Sequence, residues 1–463
     1  MTTLSVTAGA APRDRLDQIG LLSLIGMVAA AQLSIAVAQI FLTISALSWF
    51  AAHLTRRERL DAPAFFWPLV GYSALTLLAA GFSGDPVASV TDCKQLVLFL
   101  LVPVVYDFAR GARARTILSI IITIGAISAL VGIVQYGVLE YDVLRQRPQG
   151  TLSHWMTYSG TLMLVICATA ARLLFGIRDR AWAAVVMPAL VVSLVLTGTR
   201  SAWVGATAGL GVLFLLRDFR LMALLPIVTA GIIAVAPTQV TDRIYSMFDL
   251  NDPTSRDRVA MLEAGVNIVR DYPLLGVGPE MVGRVYPDYR VATAVQEHNM
   301  HLHNVPMQIA AERGLPALIV WLWFIVTVAR DLYRRIQHRT GVTRALAAGA
   351  LASLCAMLGA GLFEYNFGDS EFLMLLLVVL TLPFAAERGL PALAMWLWFV
   401  GSAISGLKWL VDRARHRVLV AAALAAVAAM LTAGLFEYNF GDSEFLMLFL
   451  LLMTLPYAAT SND

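Results

Sequence analysis

Three of the chain's seven histidines, His298, His301 and His303, fall within six positions. They sit in EHNMHLHNVPMQIAAERGLP, the end of a stretch beginning at Arg256 that is too polar to rest in lipid. An imidazole titrates near neutral pH, so a single histidine suffices to take a proton from an attacking hydroxyl. Two other readings stand beside this one, a metal site and interfacial histidines bonded to lipid headgroups. A helical zinc site wants histidines at i and i+4 with a further ligand, and the HxH pair here lacks any HExxH context. Neither a metal nor a cofactor is therefore expected.

Two arginines carry the complementary chemistry. Arg200, in TGTRSAWVG, stands at the lip of an apolar run. Such an arginine commonly snorkels to headgroups, but Gly198 and Ser201 beside it suggest a tight turn into a cavity. Arg258 belongs to the first turn of a helical pattern from Arg256 to Val269, in which Val259, Leu262, Val266 and Val269 recur at spacings of three or four. A solvated helix-start arginine is its plain alternative. The planar guanidinium fork binds phosphate oxygens bidentately, more strongly as charge develops on a leaving diphosphate. Two arginines and a histidine on one face thus point to a phosphate-linked donor and a hydroxyl acceptor. There is no P-loop, no GxGxxG after a strand and no DxD-type pair outside the repeated block, which disfavours nucleotide hydrolysis and divalent-metal glycosyl transfer. No nucleic-acid partner is expected. The acids of EYNFGDSEF, Glu364, Asp369 and Glu371, read as a solvated turn around Gly368.

The rest of the chain must position these residues from within a membrane. Of its residues 59% are hydrophobic and 14% charged, a composition that excludes an ordinary soluble domain. A helical span needs roughly 20 apolar residues, and continuous Leu/Ala/Val runs favour helices over barrel strands. The expected spans are about 19–34, 38–54, 63–82, 94–109, 116–138, 156–175, 182–198, 201–216, 221–236, 315–330, 343–362 and 371–384. They define an all-α polytopic bundle of about twelve helices. Residues 1–18 show no cleavable signal and form a tail; 19–236 and 315–384 are membrane helices, and 237–314 is one long helical loop.

With the tail in the cytoplasm, the arginine-rich loops at Arg56 and Arg57, Arg110 to Arg115, Arg172 to Arg180, Arg217 and Arg220, and Arg330 to Arg344 all fall inside. Lys94, Arg147, Arg200, Arg256, Arg258 and Arg290 then fall on the opposite face, against that trend, and become candidates for binding substrate. Cys93, Cys167 and Cys355 have no CxxC spacing and read as small buried residues.

A tandem copy closes the chain. AERGLPALIVWLWF at 311–324 returns as AERGLPALAMWLWF at 386–399, and LFEYNFGDSEFLML at 362–375 returns at 435–448. Segment 385–463 is thus a near-copy of 310–384. Each copy holds an odd number of spans, so the second would invert and carry KWLVDRARHR to the outer face. One copy is expected to fill the native slot, the first being joined directly to the histidines, and the second to be peripheral or extra.

TGTRSAW, then RVAMLEAGVNIVRDYPLLGVGP, then HLHN leading into AERGLPAL, resemble in order and spacing the O-antigen ligase and O-antigen polymerase family of bacterial envelope glycan transferases. The similarity covers roughly 190–384. It implies a multi-pass inner-membrane protein whose active site, on loop 237–314, faces the periplasm. The implied reaction moves a glycan from undecaprenyl diphosphate to a sugar hydroxyl of lipid A-core, or in relatives to a growing chain or a protein, without a metal ion. It carries the family's two arginines to Arg200 and Arg258 and its histidine to His303, followed by Asn304. Leu262 stands where many members have tryptophan. His301 and Asn304 join the substrate-binding candidates. The alternative of another class is a transporter of lipid-linked sugars, which would need ionisable residues deep inside several spans; here they cluster at span ends.

Overall fold

The structure, a computed structural model, describes residues 12–57, 60–143, 146–176, 180–247, 249, 252–388, 402, 405 and 421–427. The chain divides into two units, Met1–Glu387 and Arg388–Asp463. Most of the second repeat copy, including its basic loop 408–417, lies outside the described residues.

Among the described residues each apolar run becomes a helix, since only an internal ladder satisfies the backbone away from water. In order these are α1 (Pro12–Ala30), α2 (Ile35–Arg56), α3 (Phe66–Gly81), α4 (Pro86–Asp92), a 3-10 stretch Cys93–Leu100, α5 (Leu101–Phe108), α6 (Ala112–Gly137), α7 (Trp155–Phe175), α8 (Arg180–Leu196) and α9 (Arg200–Arg217). A 3-10 turn Phe219–Ala223 leads into α10 (Leu224–Val235), followed by α11 (Thr238–Tyr245), α12 (Pro253–Asp271), α13 (Val282–Tyr289), α14 (Val305–His338), α15 (Gly341–Gly361) and α16 (Ser370–Glu387). No strand occurs among the described residues. Among the described residues seven helical segments are long and apolar enough to cross a membrane, and three shorter ones, Phe66–Gly81, Arg180–Leu196 and Phe219–Val235, are apolar as well. The outer faces are apolar too: Ile40, Leu47 and Leu54 of α2 are 60%, 64% and 63% exposed. A water-facing surface would not carry such a stripe, and the chain is a multi-pass membrane protein.

The centre is built from α7, α15 and α16, buried along most of their length. Alanine and glycine let α9 approach them closely. A Cβ on Gly205 would stand 2.6 Å from the Ala356 carbonyl oxygen, and one on Gly209 2.8 Å from that of Ala352. Small residues one turn apart are the packing surface that helices use in lipid. This seam fixes the height of α9, and with it Arg200 in its first turn.

A second device fixes the loop. Helix α14 breaks at Gly314, whose φ of 79° suits glycine and whose Cβ would come within 2.1 Å of the Leu274 carbonyl oxygen. The break frees backbone groups, and the PLLGVGP loop satisfies them. Val277 N donates to Ala311 O at 2.9 Å, Gly278 N to Glu312 O at 2.9 Å, and Leu315 N to Pro273 O at 2.9 Å. Glu312 adds its side chain, accepting from Glu280 N at 3.0 Å, while its neighbour Arg313 donates to it at 2.6 Å and faces Asp92 at 3.6 Å. The AERGLP motif is thus a clasp for the loop ahead of it.

Three details differ from the pattern read in the sequence. Helix α12 begins at Pro253, capped by Asp252, so Arg258 lies in the second turn rather than the first. Its buried stripe is Asp257, Ala260, Met261, Ala264, Gly265 and Ile268, whereas Val259 is 62% exposed. Val259 and Val266 are exposed because the small residues pack closer, while Val269 packs against the apolar cluster that includes Ile268 and Val282. Helix α14 starts at Val305 and runs on past the break at Gly314 to His338, crossing from loop 237–314 into the span expected from 315.

The basic loops gather at one end. Arg172 donates to Ser119 and reaches the Arg115 carbonyl, Gly111 N meets Ala385 O, and Arg335 and Arg339 both pair with Glu387. His303 and Arg335 lie at opposite ends of α14.

Candidate active site

Arg200, Arg258 and His303 line one cavity of about 240 Å³, with Ser201, Val204, Met247, Ser255, Val259, Leu262, Leu302, Leu362 and Phe363 completing its wall. Three distant parts of the chain deliver them: the head of α9, the second turn of α12 and the approach to α14.

Arg200 is held. Its guanidinium donates to the Ser246 hydroxyl at 3.0 Å and carbonyl at 3.2 Å, and to Asp252 Oδ2 at 3.2 and 3.3 Å. The same Asp252 oxygen caps α12 by accepting from Ser255 N at 3.2 Å. One carboxylate therefore ties the head of α9 to the head of α12. Burial alone would raise the Asp252 pKa, but the hydrogen bond and charge of Arg200 bring it below its ordinary value.

Arg258 is open. It is half-buried, faces the cavity and makes no hydrogen bond or ion pair among the described residues. Burial lowers its pKa; Glu364 acts against that, and the charges of Arg200 and Arg243 add to it. A guanidinium in such a place has donors to spare for an anion.

His303 is oriented. Its φ of 48° lies in the left-handed region that few non-glycine residues occupy. Neighbours on both sides impose it: Leu302 N donates to Gln308 Oε1 at 2.7 Å, and Asn304 caps α14 by accepting from Met307 N at 2.9 Å while donating to Leu362 O at 3.1 Å. His303 Nδ1 lies 2.9 Å from Glu364 Oε1. A carboxylate oxygen can only accept, so Nδ1 carries the proton and Nε2 keeps its lone pair.

The reading of EYNFGDSEF as a solvated turn is thereby corrected. Glu364 also accepts from Tyr365 N at 3.1 Å, Asp369 caps α16 through Phe372 N at 3.0 Å and accepts from Thr157, and the Tyr365 hydroxyl accepts from Arg313 at 3.3 Å. The turn folds back onto the histidine because the end of α15 packs on the start of α14: a Cβ on Gly361 would stand 3.0 Å from the Val305 side chain, and Asn304 donates to Leu362 O.

The other candidates divide. Arg147 lies beyond the 197–201 turn, stacked on Trp155 at 5.3 Å and lining a separate cleft with Arg243. His301 is half-buried against the Tyr365 ring at 5.6 Å, and burial lowers its pKa. Asn304 uses its side chain as a helix cap. Lys94, Arg256 and Arg290 are exposed and do not line the cavity; Arg290 donates to Ala294 O at 3.3 Å. Arg243 was not among the candidates. Among the described residues no group of three His, Cys, Asp or Glu side chains is arranged to hold a metal ion, and all three cysteines are free.

Residues 183–322 match the family model described as O-antigen ligase. That span contains Arg200, Arg258 and His303, so the match and the cavity fall on the same residues. It supports the resemblance read from the sequence, and with the apolar helices it supports a membrane glycan transferase of the O-antigen ligase or polymerase type. No curated protein matches the chain.

Proposed function

We propose that the chain transfers a glycan from an undecaprenyl-diphosphate carrier to a sugar hydroxyl, with lipid A-core as acceptor, at the periplasmic face of the bacterial inner membrane. The observation that carries the reading is the shared cavity of Arg200, Arg258 and His303. Two cations suit a diphosphate, and Val204, Val259, Leu262 and Phe363 beside them suit the first units of an isoprenoid tail. The positive-inside trend supports the orientation, since the arginine-rich loops gather at the other end of α14.

In this reading the acceptor oxygen attacks the anomeric carbon while its proton passes to His303 Nε2. The bond from that carbon to the phosphate oxygen breaks, and its electron pair leaves on the diphosphate. Arg258, with donors unspent, and Arg200, fixed by Asp252, balance the charge that appears there. Glu364 steadies the imidazolium. One displacement inverts the anomeric centre, and the chemistry asks for no metal.

The test is transfer by the purified full-length chain with a lipid-diphosphate glycan donor in the presence of EDTA, reading the anomeric configuration of the product by NMR. Inversion is expected; retention, or dependence on a divalent ion, would contradict the mechanism. Polymerase and protein-directed activity would use the same steps with another acceptor, which accumulates when the gene is deleted.

A further inference from the structure

A second cleft lies across the 197–201 turn from the cavity. It is lined by Tyr136, Tyr141, Asp142 and Arg147, by Gln239 and Arg243 of α11, and by Thr197 and Gly198 of the turn. Arg243 projects from α11, and its Nε is buried without a hydrogen-bond partner among the described residues. The neighbourhood is strongly cationic. Burial, then the charges of Arg243 and Arg200, press the Arg147 guanidinium down to about 10, and burial with Arg200 lowers Arg243 as well. Both remain protonated at neutral pH. A buried guanidinium donor left without a partner, as Arg243 Nε is among the described residues, costs free energy that an anion in the cleft would relieve. Nearby Asp142 is exposed, at the rim.

We propose that this cleft is a second anion subsite, in which Arg147 and Arg243 clamp a phosphate group while Tyr136, Tyr141 and Gln239 contact the sugar or chain that bears it. The assignment rests on the reading that phosphate-bearing substrates come to this face. It adds a separate seat, because Thr197 and Gly198 line this cleft while Arg200 and Ser201 line the cavity, so the turn is a wall common to both. A phosphate here has two sources, a phosphorylated sugar of donor or acceptor glycan, or the carrier's own diphosphate sliding past Arg200.

Binding to the full-length protein in detergent separates them, with glucose 6-phosphate and farnesyl diphosphate as probes. Arg147→Gln/Arg243→Gln removes charge-assisted bonds from both sides of the phosphate and is expected to weaken one probe by about tenfold or more. Loss of glucose 6-phosphate with farnesyl diphosphate unchanged assigns the subsite to a glycan phosphate. Loss of farnesyl diphosphate assigns it to the carrier. The Arg147→Lys/Arg243→Lys protein should recover part of the binding, which a merely misfolded variant would not allow, and melting temperatures check the fold. Unchanged binding of both probes in the double Gln variant, or no measurable binding by the wild type, would overturn the subsite. Arg258→Gln, weakening farnesyl diphosphate alone, reports on the first cavity and keeps the two failures distinct.

Discussion

His303 and Glu364 stand 61 positions apart in the chain and 2.9 Å apart at Nδ1 and Oε1. That pairing decides which imidazole nitrogen faces the cavity with its lone pair. Replacing Glu364 by Gln leaves an amide whose NH2 can donate to Nδ1 and stabilise the wrong tautomer. Transfer should fall by roughly 10²-fold, less than on removing a general base outright, with donor affinity unchanged. A rate within twofold of wild type, roughly the scatter of such assays, would remove Glu364 from the account.

Arg258 is the open cation of the site. Arg258→Ala should lower kcat/KM by about 10²–10³-fold, as expected for loss of a donor aimed at developing charge. Arg258→Lys should recover only a fraction, because an ammonium has no planar fork to match the phosphate. Full recovery by lysine would reduce the role to simple charge attraction.

Asp252 joins the heads of α9 and α12 through Arg200, and its carboxyl is held below its ordinary value. The sign follows: its contribution to stability is complete above the unfolded carboxyl value of about 3.9 and is lost as pH falls through the lower folded value. Melting temperatures between pH 7 and pH 3, roughly spanning that window, should therefore fall more in the wild type than in Asp252→Asn. Parallel curves would show that the pair adds no pH-dependent stability.

Gly314 allows the clasp between α14 and PLLGVGP. Alanine there meets both a positive φ and the Leu274 carbonyl, a strain of about 1–3 kcal/mol or more. Gly314→Ala should lower the melting temperature and abolish transfer. PLLGVGP occurs once in the chain while AERGLP occurs twice. The matching change in the second copy, Gly389→Ala, should leave both unchanged, as should truncation after Arg388, which keeps Glu387 for Arg335 and Arg339. Loss of activity on truncation would mean that both copies are needed.

What could be read in advance followed from how locally each feature is encoded. The helices were legible because apolar runs of spanning length have few other solutions. Arg200, Arg258 and His303, which share the cavity, could be named as candidates because each sits in a recognisable string of small, apolar or turn residues. Glu364 was not: its own neighbours, Asn, Gly, Asp and Ser, have the composition of a solvated turn, and only the closing of α15 over α14 brings it to His303. Arg243 sits in VTDRIY, where nothing local marks it, and its importance comes from Arg147 and Arg200 arriving from elsewhere. The role of Asn304 had a local signal, an Asn followed by a residue and then Pro at a helix start, which is the pattern of an N-cap.

The central claim is that His303 takes the acceptor's proton in a cavity where two arginines hold the donor. Single-turnover transfer by His303→Gln tests it most directly, with donor affinity measured on the same preparation. The account predicts a loss of about 10²–10⁴-fold in the transfer rate with donor affinity unchanged. Transfer at the wild-type rate by that protein would contradict it.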